Sequence, residues 1–389
     1  MNVLYISDGS DKFGAPKALI EILKEIKEKK YDINPIVLTS KYNGVNKFCE
    51  ENNIENYVTK QPSFMMTKKE NFFKFIVKFV IKFIRYIVFS KISIHEVEKK
   101  IDLTKIDLIH TNTTIINLGA ELSKKYKIKH YWHIREFGQK DYDFISFKRN
   151  YINYMNKYTY KFFAISDAIK KCWIDKGIKK EKIQLLYDGI DLSDIEYKNE
   201  TNNIPVDKIK IVFSGYISEN KGQIQAIQAL SLMQKDKLNR IQIDIIGTGK
   251  PEYVDFLNKE IKSKNLEDNV KLLGYKDNLR QMLKNYQIGL MCSKSEGFGR
   301  TTVEYMASGL LVIASDTGAN IELINNNIDG IIYEYNNIKE LKEKIEYVLD
   351  NQSLINKISA NAHKKVCERF GIERNVREII TNYEKNGEE

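Results

Sequence analysis

Twelve short apolar runs punctuate the chain in two groups of six: 3–6, 34–38, 108–110, 130–134, 162–165 and 183–186, then 210–213, 241–246, 270–273, 288–292, 310–314 and 330–333. Runs of this length, bounded by turn residues and separated by longer stretches of helical periodicity, predict buried parallel strands joined by crossover helices. The expected class is therefore α/β, with helices covering each sheet. A polar segment, 196–203, separates the two groups, which places one domain at 1–198 and a second at 205–365, followed by a charged helical stretch at 366–389. At 389 residues and 42% hydrophobic, the chain is too long for one ordinary core and rich enough to fill two.

Four cysteines, Cys49, Cys172, Cys292 and Cys367, lie far apart without paired spacing. This argues against a disulfide framework or a cysteine zinc site and for a reducing compartment. The opening MNVLYISDGS has no cationic leader before its apolar run and reads as a first strand, so a cytoplasmic location is expected. A formal charge of +10 with 23 tyrosines raises the question of nucleic acid. No recognition motif supports it, and the cations cluster beside contiguous hydrophobics rather than among exposed aromatics, so nucleic acid is not expected as a partner.

The segment 295–309, SEGFGRTTVEYMASG, sits between two of the apolar runs and sets Glu296 and Glu304 eight positions apart. Gly297 and Gly299 permit unusual dihedrals and a close approach to a ligand. A helix opening near Arg300, with Phe298 and Thr301 in the same turn, aims unpaired N–H groups at an anion. The two carboxylates then flank a phosphate seat, where one can hold sugar hydroxyls and the other a ribose. Either glutamate alone reads as a helix-start carboxylate favoured by the dipole; the pair and its glycines together point to a ligand.

With the following residues to Ile324, this segment resembles the nucleotide-sugar signature of the family 4 retaining glycosyltransferases: Glu, seven residues, Glu, then a Gly turn and a strand. The resemblance implies a GT-B architecture, two Rossmann-like α/β/α domains facing across a cleft, with the C-terminal helix packing back on the first. It extends to IVFSGYISENKGQIQAIQAL at 211–230, where Gly215 and Lys221 match and Tyr216 stands in place of the usual Arg. Lys221 would neutralise a departing nucleoside diphosphate, with either a hydrogen bond from Tyr216 or the charge of Arg300 or another cation compensating for the missing Arg. Main-chain groups near Leu273 and Tyr275 would read the base.

In the first domain, DGSDKFGAPKALIEIL at 8–23 carries single glycines, which counts against a dinucleotide fingerprint. The family's glycine turn near the donor phosphates is carried over to Gly14 alone, since Phe13 replaces the other glycine. KHYWHIREFG at 129–138 supplies His133, Arg135 and Glu136. A lone histidine is more often structural than catalytic, and His130 is expected on the same strand face. The resemblance gives His133 a catalytic or sugar-positioning role at an open strand end. It sets Arg135 and Glu136 on the acceptor side, with an internal ion pair as the alternative.

The chain shows no clear DxD-type metal signature and no His/Cys cluster at ligand spacing, so no cofactor and no essential metal is expected. The family's chemistry implies transfer from a nucleoside-diphosphate sugar, UDP-sugar favoured, to a saccharide or polyprenyl-linked acceptor in surface polysaccharide assembly. Retention would follow from same-face displacement, with the leaving phosphate helping to deprotonate the acceptor and Glu296 holding sugar hydroxyls. A weakly active nucleotide- or lipid-binding scaffold and a GT-B sugar-nucleotide epimerase are the alternatives.

One further run, FFKFIVKFVIKFIRYIVF at 72–89, fits none of this. On a helix, Lys74, Lys78, Lys82 and Arg85 fall within an arc of about 80° on a rod otherwise nearly all Phe, Ile, Val and Tyr. Between 67 and 91 there are seven Lys/Arg against one Glu. Charges so spaced disfavour a spanning helix and suit one lying on an anionic membrane surface, which places the protein peripherally on the inner face of the cell membrane.

Overall fold

The structure, a computed structural model, describes residues 1–11, 14–67, 72–138, 144–197 and 208–385, without the side chains of 72–74. Phe13, the Lys74 side chain and most of the polar segment 196–203 thus lie outside the described residues. The chain forms two compact units, Met1–Gly189 with Ile372–Glu389, and Ile190–Gly371. The first unit ends before 198, and the chain returns to it at Ile372 rather than at 366.

Unit 1 contains β1 (Asn2–Ser7), β2 (Asn34–Thr39), β3 (Glu55–Val58), β4 (Met65–Thr67), β5 (Leu108–Thr111), β6 (Lys129–Ile134), β7 (Phe144–Ser146), β8 (Lys161–Ala164) and β9 (Ile183–Leu185). Its helices are α1 (Gly14–Glu28), α2 (Gly44–Glu51), α3 (Phe72–Lys100), α4 (Leu118–Tyr126), α5 (Tyr151–Tyr158) and α6 (Asp167–Asp175). Seven strands form a parallel sheet in the order β3-β2-β1-β5-β6-β8-β9, and β4 pairs antiparallel with β7. Strand alternation divides the core between the two faces. Val3 and Tyr5 pack with Leu19 and Ile22 of α1, whereas Leu4 and Ile6 pack with Val97 of α3 and Leu118 of α4.

Unit 2 contains β10 (Ile209–Ser214), β11 (Ile241–Ile246), β12 (Val270–Gly274), β13 (Ile288–Met291), β14 (Leu311–Ser315) and β15 (Ile331–Tyr333). They form a second parallel sheet, ordered β12-β11-β10-β13-β14-β15. The helices are α7 (Gln223–Ser231), α8 (Lys235–Leu238), α9 (Pro251–Ser263), α10 (Leu279–Met282), α11 (Arg300–Ala307), α12 (Asn320–Leu323), α13 (Ile338–Asp350) and α14 (Ser353–Arg369). The last helix, α15 (Ile372–Glu384), belongs to unit 1, where Ile372, Val376, Ile379, Ile380 and Tyr383 complete the core cluster on the α1 face.

Every one of the twelve apolar runs falls on a strand to within a residue at each end. In both sheets the strand order reverses at one place, between β1 and β5 in unit 1 and between β10 and β13 in unit 2. Open parallel sheets bind ligands outside the carboxyl ends of their strands at such a reversal.

Candidate functional site

In unit 2, the loops leaving β10 and β13 diverge from the reversal and are tied together across it. The β10 loop turns through a short 3₁₀ segment, Glu219–Lys221, and enters α7 at Gly222. Gly222 has φ 72°, and a Cβ there would lie 2.1 Å from the Cys292 carbonyl oxygen, so only glycine lets the two loops meet. Lys294 N donates to Asn220 O at 2.8 Å and Gln225 Nε2 to Cys292 O at 3.0 Å. Above these ties, Lys221 Nζ donates to Glu296 Oε2 at 2.8 Å, one residue from each side of the reversal.

Glu296 is held from behind by the turn before α12: Ala319 N donates to its carbonyl, and a Cβ on Gly318 would come within 2.2 Å of that oxygen. Gly299 adopts the left-handed conformation and α11 opens at Arg300, which turns the first N–H groups of the helix towards this loop. Glu304 lies one turn inside α11, where Arg280 of α10 donates to its Oε1 through Nη2 at 2.9 Å and Nε at 3.3 Å. Arg280 Nη1 also reaches the carbonyl of Asp191 at 3.2 Å. Tyr305 on the same helix props the end of β10: its hydroxyl donates to Ser214 Oγ at 2.8 Å and accepts from Ser214 N at 2.6 Å.

Beyond the strand ends the surface is open. A Cβ on Gly215 or Gly274 would meet nothing within 4 Å, and Tyr216 and Tyr275 are about half exposed. The β11–β12 register passes from Ile245↔Leu272 to Ile246↔Gly274, so Leu273 is skipped in the ladder and lies at a bulge. Thr301 and Arg300 are partly buried in the first turn of α11. Phe298 is a correction: its side chain is buried edge-to-face against Phe370, so only its backbone borders the turn.

The reversal in unit 1 is a sealed network. Arg135, following β6, donates through Nη1 to both oxygens of Asp188 at 2.6 and 2.5 Å, and through Nε and Nη2 to Asn112 after β5. Asn112 in turn donates to the Ala15 carbonyl at 2.7 Å, which anchors the α1 entrance beside the exposed Gly14. Glu136 turns the other way and accepts from Thr113 Oγ1 and Thr114 N. Arg135 therefore takes the internal ion pair that the sequence offered as an alternative, with Asp188 rather than Glu136 as its partner.

His133 does not face an open strand end. Its ring is fully buried, 3.0 Å from His110 Nε2 through Nδ1, edge-on to Phe163, with no partner for Nε2 among the described residues. His110 reaches on to the Tyr383 hydroxyl of α15, so His133 belongs to the face that this helix covers. His130 lies three positions earlier, hence on the opposite face, where it meets Thr111. Burial holds His110 and His130 down to about 3 and holds His133 well below the usual histidine value, with the Arg135 charge adding to the effect at His110 and His133.

Residues 194–365 match the family model described as glycosyl transferases group 1, and residues 59–194 match that of glycosyltransferase family 4. The chain belongs to the family 4 glycosyltransferases. This glycosyltransferase is 31% identical over 170 residues to a poly(glycerol-phosphate) alpha-glucosyltransferase of Bacillus subtilis, covering 43% of the chain and 24% of that protein. It is 25% identical over 218 residues to the capsular polysaccharide biosynthesis glycosyltransferase CapM of Staphylococcus aureus, covering 53% of the chain and 57% of that protein. The match thus spans about a quarter of the first relative's length and little more than half of the second's. Among solved structures, Anabaena HepE in complex with UDP superimposes with a TM-score of 0.78 over 99% of the chain and 100% of that chain, at 20% identity. The fold is the two-domain, Rossmann-like GT-B fold.

In the glycosyltransferase, Arg280, Asp188 and Asn112 escaped the sequence. Arg280 sits on a four-residue helix with no periodicity to mark it, and Asp188 is brought to Arg135 across 53 positions. Among the described residues no group of His, Cys, Asp and Glu is clustered for a metal ion.

Proposed function

We propose that the chain transfers a sugar from a nucleoside-diphosphate sugar, with uridine as the base, to a hydroxyl of a saccharide or lipid-linked saccharide in surface polysaccharide synthesis. The observation that carries this reading is the Lys221–Glu296 pair bridging the two loops at the unit 2 strand reversal. A diphosphate seated at the start of α11 draws on both the helix N–H groups and the Lys221 ammonium, and its arrival frees the Glu296 carboxylate to accept sugar hydroxyls. Glu304, held by Arg280, is the carboxylate placed to accept from a ribose hydroxyl. The base then lies near the skipped Leu273 and Tyr275, where main-chain groups read it.

The charge that develops on the leaving diphosphate falls on groups already in position, which is the usual source of large rate effects. Transfer proceeds with retention, the leaving phosphate taking the acceptor proton, and without an essential metal. Uridine is chosen because the HepE structures hold UDP and UDP-glucose, and the polymer class because the relatives act on poly(glycerol-phosphate) or in capsule synthesis.

The test is a thermal-shift panel of UDP, GDP and ADP with their sugar conjugates, followed by transfer assays with the donor that binds. A ligand that binds only the native state raises the midpoint by mass action. A shift with UDP, diminished in Glu304→Ala, is the expected result. A shift of equal size in wild type and Glu304→Ala, or none with any nucleotide, overturns the assignment.

A further inference from the structure

The helix α3 divides its apolar residues by type. The aromatic side turns towards the body of unit 1, where Phe79 and Phe83 meet Phe147 and Tyr86 stacks on the same ring. The aliphatic side faces out: Ile76, Val77, Val80, Ile81, Ile84, Ile87, Val88 and Ile92 are 40 to 61% exposed. At 3.6 residues per turn these eight fall within an arc of about 160° and run some four turns along the helix. The exposed Lys78, Arg85 and Lys82 border one edge of that arc, within about 80° of it. Scattered exposed aliphatics need no explanation, but a contiguous face of this size marks an interaction site.

Against the cationic edge lies a cavity of about 460 Å³. Lys41, Lys60, Lys82 and Arg85 line it, with Tyr86, Phe89 and Phe147 forming apolar wall, and among the described residues no carboxylate lines it. Lys60 and Arg85 both lie over the Phe89 ring, at 5.1 and 5.9 Å, which holds the two cations beside apolar surface. Four positive side chains around an apolar cavity, with no carboxylate among its described lining residues, match an anionic group carried on a hydrocarbon chain. Water-exposed aliphatics next to them match the acyl boundary into which such chains run.

We propose that α3 docks unit 1 on an anionic lipid bilayer, its Ile/Val face lying in the headgroup and acyl boundary and the adjoining cavity taking the phosphate of one lipid. No helix among the described residues is long and apolar enough to cross a membrane, so the contact is lateral. The aliphatic face supplies the area and the cations supply the preference for anionic lipid. The surface lies wholly within unit 1 and vesicle binding is read without nucleotide, so the proposal stands or falls apart from the donor site.

The experiment is vesicle flotation of the full chain with phosphatidylcholine alone and with phosphatidylcholine containing phosphatidylglycerol. Ile81→Glu with Ile84→Glu tests the face, and Lys60→Ala with Lys82→Ala tests the cavity. All four positions border solvent, and unchanged melting midpoints establish that the variants fold. Wild type is expected to float with the anionic vesicles and at least tenfold less with the neutral ones. The face variant loses at least tenfold, and the cavity variant loses about fivefold for each cation removed. Failure of wild type to float with anionic vesicles overturns the proposal. So does flotation unchanged in the face variant, or a wild-type dimer that the face variant converts to monomer without any vesicle binding. Anionic preference unchanged in the cavity variant overturns the role given to the cavity.

Discussion

The two strand reversals are built alike and finished differently. In unit 1 the Arg135–Asp188 pair is 4% and 3% exposed, with each guanidinium nitrogen donating to Asp188 or Asn112. In unit 2 the Lys221–Glu296 pair is 31% and 12% exposed, and the Arg280–Glu304 pair 17% and 10%. A charge pair removed from water and fully hydrogen-bonded is a fastening, because neither member can change partner without leaving the other uncompensated. A half-open pair beside free space can exchange partner for ligand at little cost. The same topology thus yields a closed clamp in one unit and a part-open pair in the other.

That contrast breaks most readily at Asp188. Asp188→Ala strands the Arg135 guanidinium in the interior and is expected to lower unfolding free energy by about 3–5 kcal/mol, read by chemical denaturation. Lys221→Ala and Glu296→Ala should instead fold with stability within about 1 kcal/mol of wild type while transfer rates drop by roughly 10²–10³. If Lys221→Ala destabilised the chain as much as Asp188→Ala, the open pair would be a fastening too. Glu304→Ala should weaken nucleotide binding by about 1.5–3 kcal/mol in titration calorimetry, the worth of a hydrogen bond to a charged group.

Acid should reach the unit 1 core through two buried rings. His110 and His130, held to about 3 by burial, stay neutral in the folded chain while titrating near 6.5 when unfolded. Their contribution is complete above about pH 6.5 and is lost as pH falls towards 3, at about 1.4 kcal/mol per pH unit for each ring. His130→Gln should flatten the dependence of stability on pH, measured between about pH 6 and pH 5, by that amount. The smallest effect is expected from chelation: transfer rates should change less than twofold in excess EDTA. A large loss would mean that a cation assists Lys221 at the diphosphate.

The sheets were legible because parallel strands covered on both faces leave unbroken apolar runs, and all twelve runs became strands. β3, β4 and β7 left no such trace: β3 is a half-exposed edge strand and the other two are three-residue segments paired only with each other. The loop and helix around Glu296 and Glu304 were legible because glycines and carboxylates recur there at fixed spacing. The partners of those carboxylates were less so. Lys221 followed from its own motif, but Arg280 comes from a short helix 24 positions before Glu304, and nothing in spacing reveals that approach. His133 misled because a histidine near a strand end reads alike whether it faces solvent or a helix from the far end of the chain. Only the docking of Tyr383 decides it.

That helix gives the order of synthesis a physical meaning. The chain leaves unit 1 at Gly189 and re-enters it at Ile372, while Ile190 and Gly371 lie side by side as a parallel bridge. Unit 2 therefore has its whole sequence in hand as soon as residue 371 emerges, and its core can close at once. Unit 1, although begun first, waits with the α1 face of its sheet only partly covered until Val376, Ile379 and Tyr383 arrive. The earlier-born half is the later to mature, so a nascent chain stalled anywhere between 190 and 371 presents an unfinished apolar surface. It is there that chaperones and proteases would act first.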